Sequence, residues 1–157
     1  NNWYEGRNTF RTTNDLRPSF DVPYEKGELK AVGYKNGEIV AEKIIKTTGE
    51  PVRLSATPDT RDIKAGGLVQ FEIVAVDAKG LSVPTAEPLV GIKIEGPAHL
   101  VGMDAGNLRD LSLYSASERK MFAGALLAVV MADAPGKVTV TFEAESLETS
   151  SICFEIK

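Results

Sequence analysis

Along much of the chain, apolar side chains return at every second position. Val69, Phe71, Ile73 and Ala75 alternate with Gln70, Glu72 and Val74, the period of a strand with one face buried. Asp77-Ala78-Lys79-Gly80 follows as a turn with glycine at its end. The run Val90-Gly91-Ile92-Lys93-Ile94-Glu95 repeats the alternation until Gly96-Pro97 ends it. Lys137–Ala144 is the clearest case, with Val138, Val140 and Phe142 on one face and the threonines and Glu143 on the other. Ala134-Pro135-Gly136 opens this run and Glu145-Ser146-Leu147-Glu148 closes it. Ser150–Ile156 returns as a last strand, so the two runs predict a hairpin. Periodicity alone reads the continuous apolar stretch Ala125–Met131 as either helix or buried strand. Its Val129-Val130 pair and short length between Gly124 and Pro135 favour a buried sandwich strand.

The first fifty residues predict three shorter strands, at Phe20–Val22, Glu28–Tyr34 and Glu38–Lys46. Asn36-Gly37 joins the last two. This dipeptide is the strongest short hairpin signal, because a type I′ turn needs positive φ at both central residues. Thr47-Thr48-Gly49-Glu50-Pro51 is a polar breaker, and a domain boundary is placed there. Residues 51–157 are enough for an immunoglobulin-type sandwich, which takes about 100 residues and about seven strands. Residues 1–50 are too few for a core of their own. They are expected to be the C-terminal part of a preceding immunoglobulin-like domain whose first strands lie upstream. The expected fold class is therefore all-β: an immunoglobulin-like β-sandwich preceded by a partial β-domain. The spaced cysteines and core tryptophan of antibody domains are missing, so the likeness is to the architecture.

Composition narrows the function. With 43% hydrophobic and 25% charged residues the chain has the make-up of a folded domain rather than a disordered one. A net charge of −4 without a basic stripe argues against nucleic acid as a partner. Cys153 is the single cysteine, so no internal disulfide forms. In Ile152-Cys153-Phe154-Glu155-Ile156 it reads as a small apolar strand residue. The longest apolar run, Ala123–Ala132, is half of the roughly 20 residues that span a bilayer, so no membrane span is expected. The chain opens Asn1-Asn2-Trp3 without methionine and reads as a processed product or a fragment.

Candidate chemistry is sparse. His99 is the sole histidine, which excludes a His-His metal pair, and no G-x-S-x-G elbow is present for a triad. It reads as a structural histidine in a loop or at a strand edge. Gly66-Gly67 has no lysine in P-loop spacing and precedes a strand, so it reads as a turn. Asp104, Asn107 and Asp110 offer oxygens of the kind calcium takes, but the EF-hand spacing is missing, and Asx-turns are the preferred reading. No metal site and no cofactor is expected. A glycosidase needs two carboxylates held roughly 5 to 10 Å apart, usually in a deep scaffold such as a barrel of about 250 residues. Trp3, Tyr4 and Phe10 cluster near the start. Trp3 and Tyr4 are the candidate carbohydrate-binding residues, since exposed aromatics stack on sugar rings. The alternative is that they belong to, or face, another domain.

Several segments in fixed order resemble a known family. Residues 22–37, Val22-Pro23-Tyr24-Glu25-Lys26-Gly27-Glu28-Leu29-Lys30-Ala31-Val32-Gly33-Tyr34-Lys35-Asn36-Gly37, resemble the "VPYEPGELKAVAYKDG" segment of bacterial glycoside hydrolase family 2, the β-galactosidase-like enzymes. Thr47-Thr48-Gly49-Glu50-Pro51 and the following Val52–Asp59 are similar to the family's link into its final domain. Val101-Gly102-Met103-Asp104-Ala105-Gly106-Asn107 resembles its "GVDNGDP" loop, with Ala105 and Leu108 departing from it. Arg119-Lys120-Met121-Phe122-Ala123-Gly124 resembles "RKAFNG", and Ala125–Met131 resembles the strand after it. The likeness runs over about residues 20–157. It implies a parent that hydrolyses β-linked galactosides or related glycans, exported to the periplasm or surface of a bacterium. The family's two catalytic glutamates lie in an upstream barrel, so no catalytic residue carries over to this chain. The expected role is a non-catalytic C-terminal accessory region that packs on that barrel or caps its cleft. Two alternatives stand beside it: a carbohydrate-binding module, and an adhesin-type immunoglobulin-like spacer.

Overall fold

The computed structural model describes residues 22–157, which fall into two compact units divided between Thr47 and Thr48. Trp3, Tyr4 and Phe10 lie outside the described residues, as do the first two positions of the expected strand Phe20–Val22; Val22 itself is not in a strand.

The described part of the first unit is a hairpin of β1 (Glu28–Lys35) and β2 (Glu38–Lys46). Asn36 and Gly37 take φ of 54° and 87°, the left-handed pair that the two-residue turn demands. A bulge at Gly33/Tyr34 shifts the register. Lys30–Glu42 and Lys46–Glu28 form ion pairs at 2.7 and 3.0 Å across the strands, while Leu29 pairs with Ile45. The base closes where Thr47 donates its N–H to the Gly27 carbonyl and Gly27 donates its own to the Thr47 hydroxyl.

The second unit is an immunoglobulin-like sandwich. Its strands are β3 (Pro51–Pro58), β4 (Leu68–Asp77), β5 (Leu89–Glu95), β6 (Ala98–Asp104), β7 (Glu118–Lys120), β8 (Ala125–Ala132), β9 (Gly136–Ala144) and β10 (Leu147–Ile156). They run in the order β6-β8-β4-β3-β10-β9-β5-β7. Every neighbouring pair is antiparallel except β3 and β10, whose parallel link at Arg53 and Glu148 joins two four-stranded layers. The layers face each other through alternating side chains. Val69, Phe71 and Ile73 of β4 and Leu126, Ala128 and Val130 of β8 are buried against Val138, Val140 and Phe142 of β9 and Phe154 of β10. Phe71 stands at the centre, with ring centroids 5.5 Å from Phe142 and 6.2 Å from Phe154. Each of these valine, leucine, isoleucine and phenylalanine side chains contributes about 1.5–3 kcal/mol through its burial.

Two expectations are refined. The strand at Ala125–Met131 forms, but only its inward positions are buried, and Leu127 on the outer face is 38% exposed. The turn between β9 and β10 is shorter than expected. Glu145 and Ser146 suffice, with Ser146 at φ 63°, and Leu147 already pairs with Ala144.

Two devices fix the connections. Gly124 sits at φ 73° with its α-carbon against the Val83 carbonyl, where a β-carbon would collide. Asp77, buried at the end of β4, accepts three backbone hydrogen bonds: from Gly49 on one carboxylate oxygen, and from Lys79 and Leu81 on the other, all at 2.9 Å. The Gly49 N–H, followed by that of Leu81, holds the carboxyl below its ordinary value; burial opposes the shift without reversing it. No helix among the described residues is long and apolar enough to cross a membrane.

Candidate functional site

The residues singled out in the sequence do not converge on one place. His99 lies on edge strand β6, half exposed, with Nδ1 2.7 Å from Asp133 Oδ1. Cys153 is in β10 as expected, but it pairs with Thr139 on the outer face and is exposed, while its neighbours Phe154 and Ile156 point into the core. Gly66 and Gly67 form the turn before β4, with Gly67 donating to the Lys64 carbonyl.

Asp104, Asn107 and Asp110 share one loop, residues 105–117 and the strand end before it, and each uses its side chain locally. Asp104 accepts from the Gly106 N–H (3.0 Å), Asn107 from Arg109 (3.1 Å) and Asp110 from Ser112 (2.9 Å). These are Asx-turns, in which a side-chain oxygen substitutes for a backbone acceptor two residues on. Two β-turns, closed by Asp110 N–H to the Asn107 carbonyl and Ala116 N–H to the Leu113 carbonyl, continue the loop. Its ends are tied down where Met103 donates to the Tyr114 carbonyl and Ile92 to the Ser117 carbonyl.

Beneath this loop lies a residue that sequence reading did not single out. Arg119, the middle residue of β7, is 3% exposed. One guanidinium nitrogen donates to Asp110 Oδ2 at 2.9 Å and the other to the Ser112 carbonyl at 3.0 Å. The guanidinium carbon stands 4.9 Å from the centre of the Tyr114 ring, within reach of a cation–π attraction. Nε has no partner among the described residues. The Ser112 hydroxyl and N–H first, then the charge of Arg119, hold the Asp110 carboxyl below its ordinary value. Flanked by Glu118 and Lys120, Arg119 looks like a surface residue. The available signal was period two, which puts it on the same inward face as Met121.

Above this polar framework the loop turns apolar side chains outward. Leu108 is 99% exposed, Leu111 95%, Leu113 75% and Tyr114 65%. Beside its start is a shallow, open depression of roughly 330 Å³ lined by Glu72, Asp104, Ala105, Gly106, Ala125, Leu126 and Leu127. Glu72 and Asp104 both pair with Leu127 from opposite sides, so two strand spacings, about 10 Å, separate their backbones. The floor between them is aliphatic and open to water. The arrangement suits contact with another surface better than it suits chemistry on a bound sugar, which requires water to be excluded.

Comparison with known proteins gives the family of the sandwich. A family model described as glycoside hydrolase family 2 C-terminal domain 5 matches residues 54–153. A second, described as a domain of unknown function, matches residues 4–41. A β-galactosidase of Bacteroides ovatus is 33% identical over 136 residues, covering 85% of this chain and 16% of that protein. A putative β-glucuronidase of Formosa agariphila is 30% identical over 114 residues, covering 71% of this chain and 11% of that protein. Among solved structures, a glycosyl hydrolase family 2 member from Bacteroides cellulosilyticus superposes with a TM-score of 0.82 at 32% identity, covering 87% of this chain and 18% of that one. The chain thus spans less than a fifth of the length of each of these relatives.

Proposed function

Since the chain belongs to the glycoside hydrolase family 2 C-terminal domain 5 family, we propose that it is a non-catalytic accessory region of a β-galactosidase-like glycosidase and serves by packing against the catalytic part. The observation that carries this reading is the match of residues 54–153, most of the sandwich, to a C-terminal domain of that family, within relatives five or more times as long. The physical properties of the sandwich agree. Its core is closed and apolar, the side chains of Asp104, Asn107 and Asp110 serve turns, and Leu108, Leu111, Leu113 and Tyr114 stand exposed on one loop. The relatives' printed activities differ, one a β-galactosidase and another a putative β-glucuronidase. A shared sandwich beneath different activities is what a structural role for this region would give.

The test is hydrolysis of chromogenic β-galactosides and β-glucuronides by the purified 157-residue chain. The expected result is turnover no higher than buffer. Turnover proportional to chain concentration, and retained through repeated purification, overturns the reading.

A further inference from the structure

We infer that residues 105–117 are the docking element of this domain, and that the tips of Leu108, Leu111, Leu113 and Tyr114 insert into the catalytic part of the same polypeptide. The inference rests on the reading of the chain as an accessory region of a family 2 glycosidase, and names the surface through which it acts.

Four large apolar side chains within seven positions stand in water on a loop that is not loose. The loop is held by three Asx-turns, two β-turns and the buried Arg119, whose two guanidinium nitrogens fix Asp110 and the Ser112 carbonyl. A display ordered in advance loses little entropy on binding. Apolar side chains displayed in this way are stabilised when a partner surface takes them out of water.

The chemistry favours a protein surface over a glycan. A sugar wants a flat aromatic face with free hydrogen-bonding groups around it. Here one side-chain oxygen each of Asp104, Asn107 and Asp110 accepts from the loop's own backbone, the other Asp110 oxygen is held by Arg119, Arg119 lies against the one aromatic ring, and the remaining tips are leucines. The same polypeptide is favoured over a second copy for a different reason. In the relatives the matched region makes up 11–18% of a much longer chain. Covalent linkage raises the effective concentration into the millimolar range, so a contact of only four anchors holds within one chain where it would not hold two copies together.

The experiment places a thiol on the loop. In a Cys153→Ser background, Leu111→Cys is introduced into the complete gene product and into the 157-residue chain, and alkylation by a small maleimide is timed in both. Leu111 is almost wholly exposed, so the substitution does not disturb folding of the chain. The expected result is labelling at least about tenfold slower in the complete gene product, as for a site that reacts only through local opening. Alongside it, the double variant Leu111→Asp, Leu113→Asp lowers the melting temperature of the complete gene product and leaves that of the chain unchanged. Equal labelling rates overturn the inference. So does protection that appears only on raising protein concentration, which assigns the loop to a second copy, or only on adding galactan oligosaccharides, which assigns it to a glycan. A gene product without a family 2 barrel defeats the underlying reading itself; a barrel present with the loop equally reactive defeats this inference alone.

Discussion

The carboxylate of Asp77 accepts a hydrogen bond from the backbone N–H of Gly49, 28 residues earlier, at 2.9 Å. The same carboxylate closes the turn after β4 through Lys79 and Leu81, so one side chain ties the entry of the sandwich to its second strand. This predicts acid sensitivity of a definite sign. Asp77 and Asp110 are both held below their ordinary values in the folded chain, so in acid the unfolded chain binds more protons. Their contribution is complete above the unfolded carboxyl value of about 3.9 and is lost as pH falls through the folded values. Urea midpoints measured from pH 7 down to about pH 2.5 are expected to fall in the acid range. In Asp77→Asn the fall is shallower and the midpoint at pH 7 is already lower. An unchanged slope would show that Asp77 takes no part.

The pair beneath the loop predicts an order between two variants. Asp110→Asn leaves the guanidinium of Arg119 buried without its counter-charge, whereas Arg119→Met removes the buried charge and the unpartnered Nε together while keeping most of the volume. Asp110→Asn is therefore expected to lower the urea midpoint more than Arg119→Met. Hydrogen exchange at residues 105–117 should speed up in both, since each loses the anchor of the loop. The reverse order of midpoints would mean that packing of the arginine stem, not its charge pair, dominates.

Phe71 touches both Phe142 and Phe154 across the sandwich. Phe71→Ala removes those contacts and opens a cavity in a closed core, at a cost of about 3–5 kcal/mol. Chemical denaturation of the chain measures this. A loss below about 1 kcal/mol would mean that the two layers are not packed through this residue.

Gly124→Ala adds one methyl group at φ 73° against the Val83 carbonyl. Gly106 shares the left-handed backbone at φ 70° but has open space around its α-carbon, so the collision is what is expected to make Gly124→Ala destabilise more than alanine at Gly106. Comparison of the two melting curves decides.

The elements legible in the sequence were those with unbroken alternation, the β1–β2 hairpin marked by its turn, and β8, marked by a continuous apolar run between Gly124 and Pro135. β4, β5 and β9 bury every second side chain through most of their lengths, β10 does so at its end with Phe154 and Ile156, and the turn at Asn36-Gly37 carries its own conformational signature. β6 was not read, because a register shift between Leu100 and Gly102 interrupts the period and leaves Val101 facing solvent. β3 and β7 were missed too, the first opening on a proline and the second only three residues long. At the candidate site the Asx-turns of Asp104, Asn107 and Asp110 were expected from residue type, because they are local. The burial of Arg119 and the exposure of Leu108, Leu111 and Leu113 were not. A leucine in a loop reads the same whether it is covered or bare. Asp77 was read as a turn residue, but its bond to Gly49 depends on β3 lying beside β4, which no local pattern specifies.

Deletion of residues 48–157 from the complete gene product, with melting temperature and turnover per folded molecule measured side by side, separates packing from chemistry. A non-catalytic packing domain predicts a lower melting temperature and faster inactivation, with turnover at low temperature within about tenfold of the intact protein, since an added distant domain supplies no reacting group. A deletion variant that melts like the intact protein yet has lost its turnover altogether would contradict it, because a group within the sandwich would then be doing chemistry.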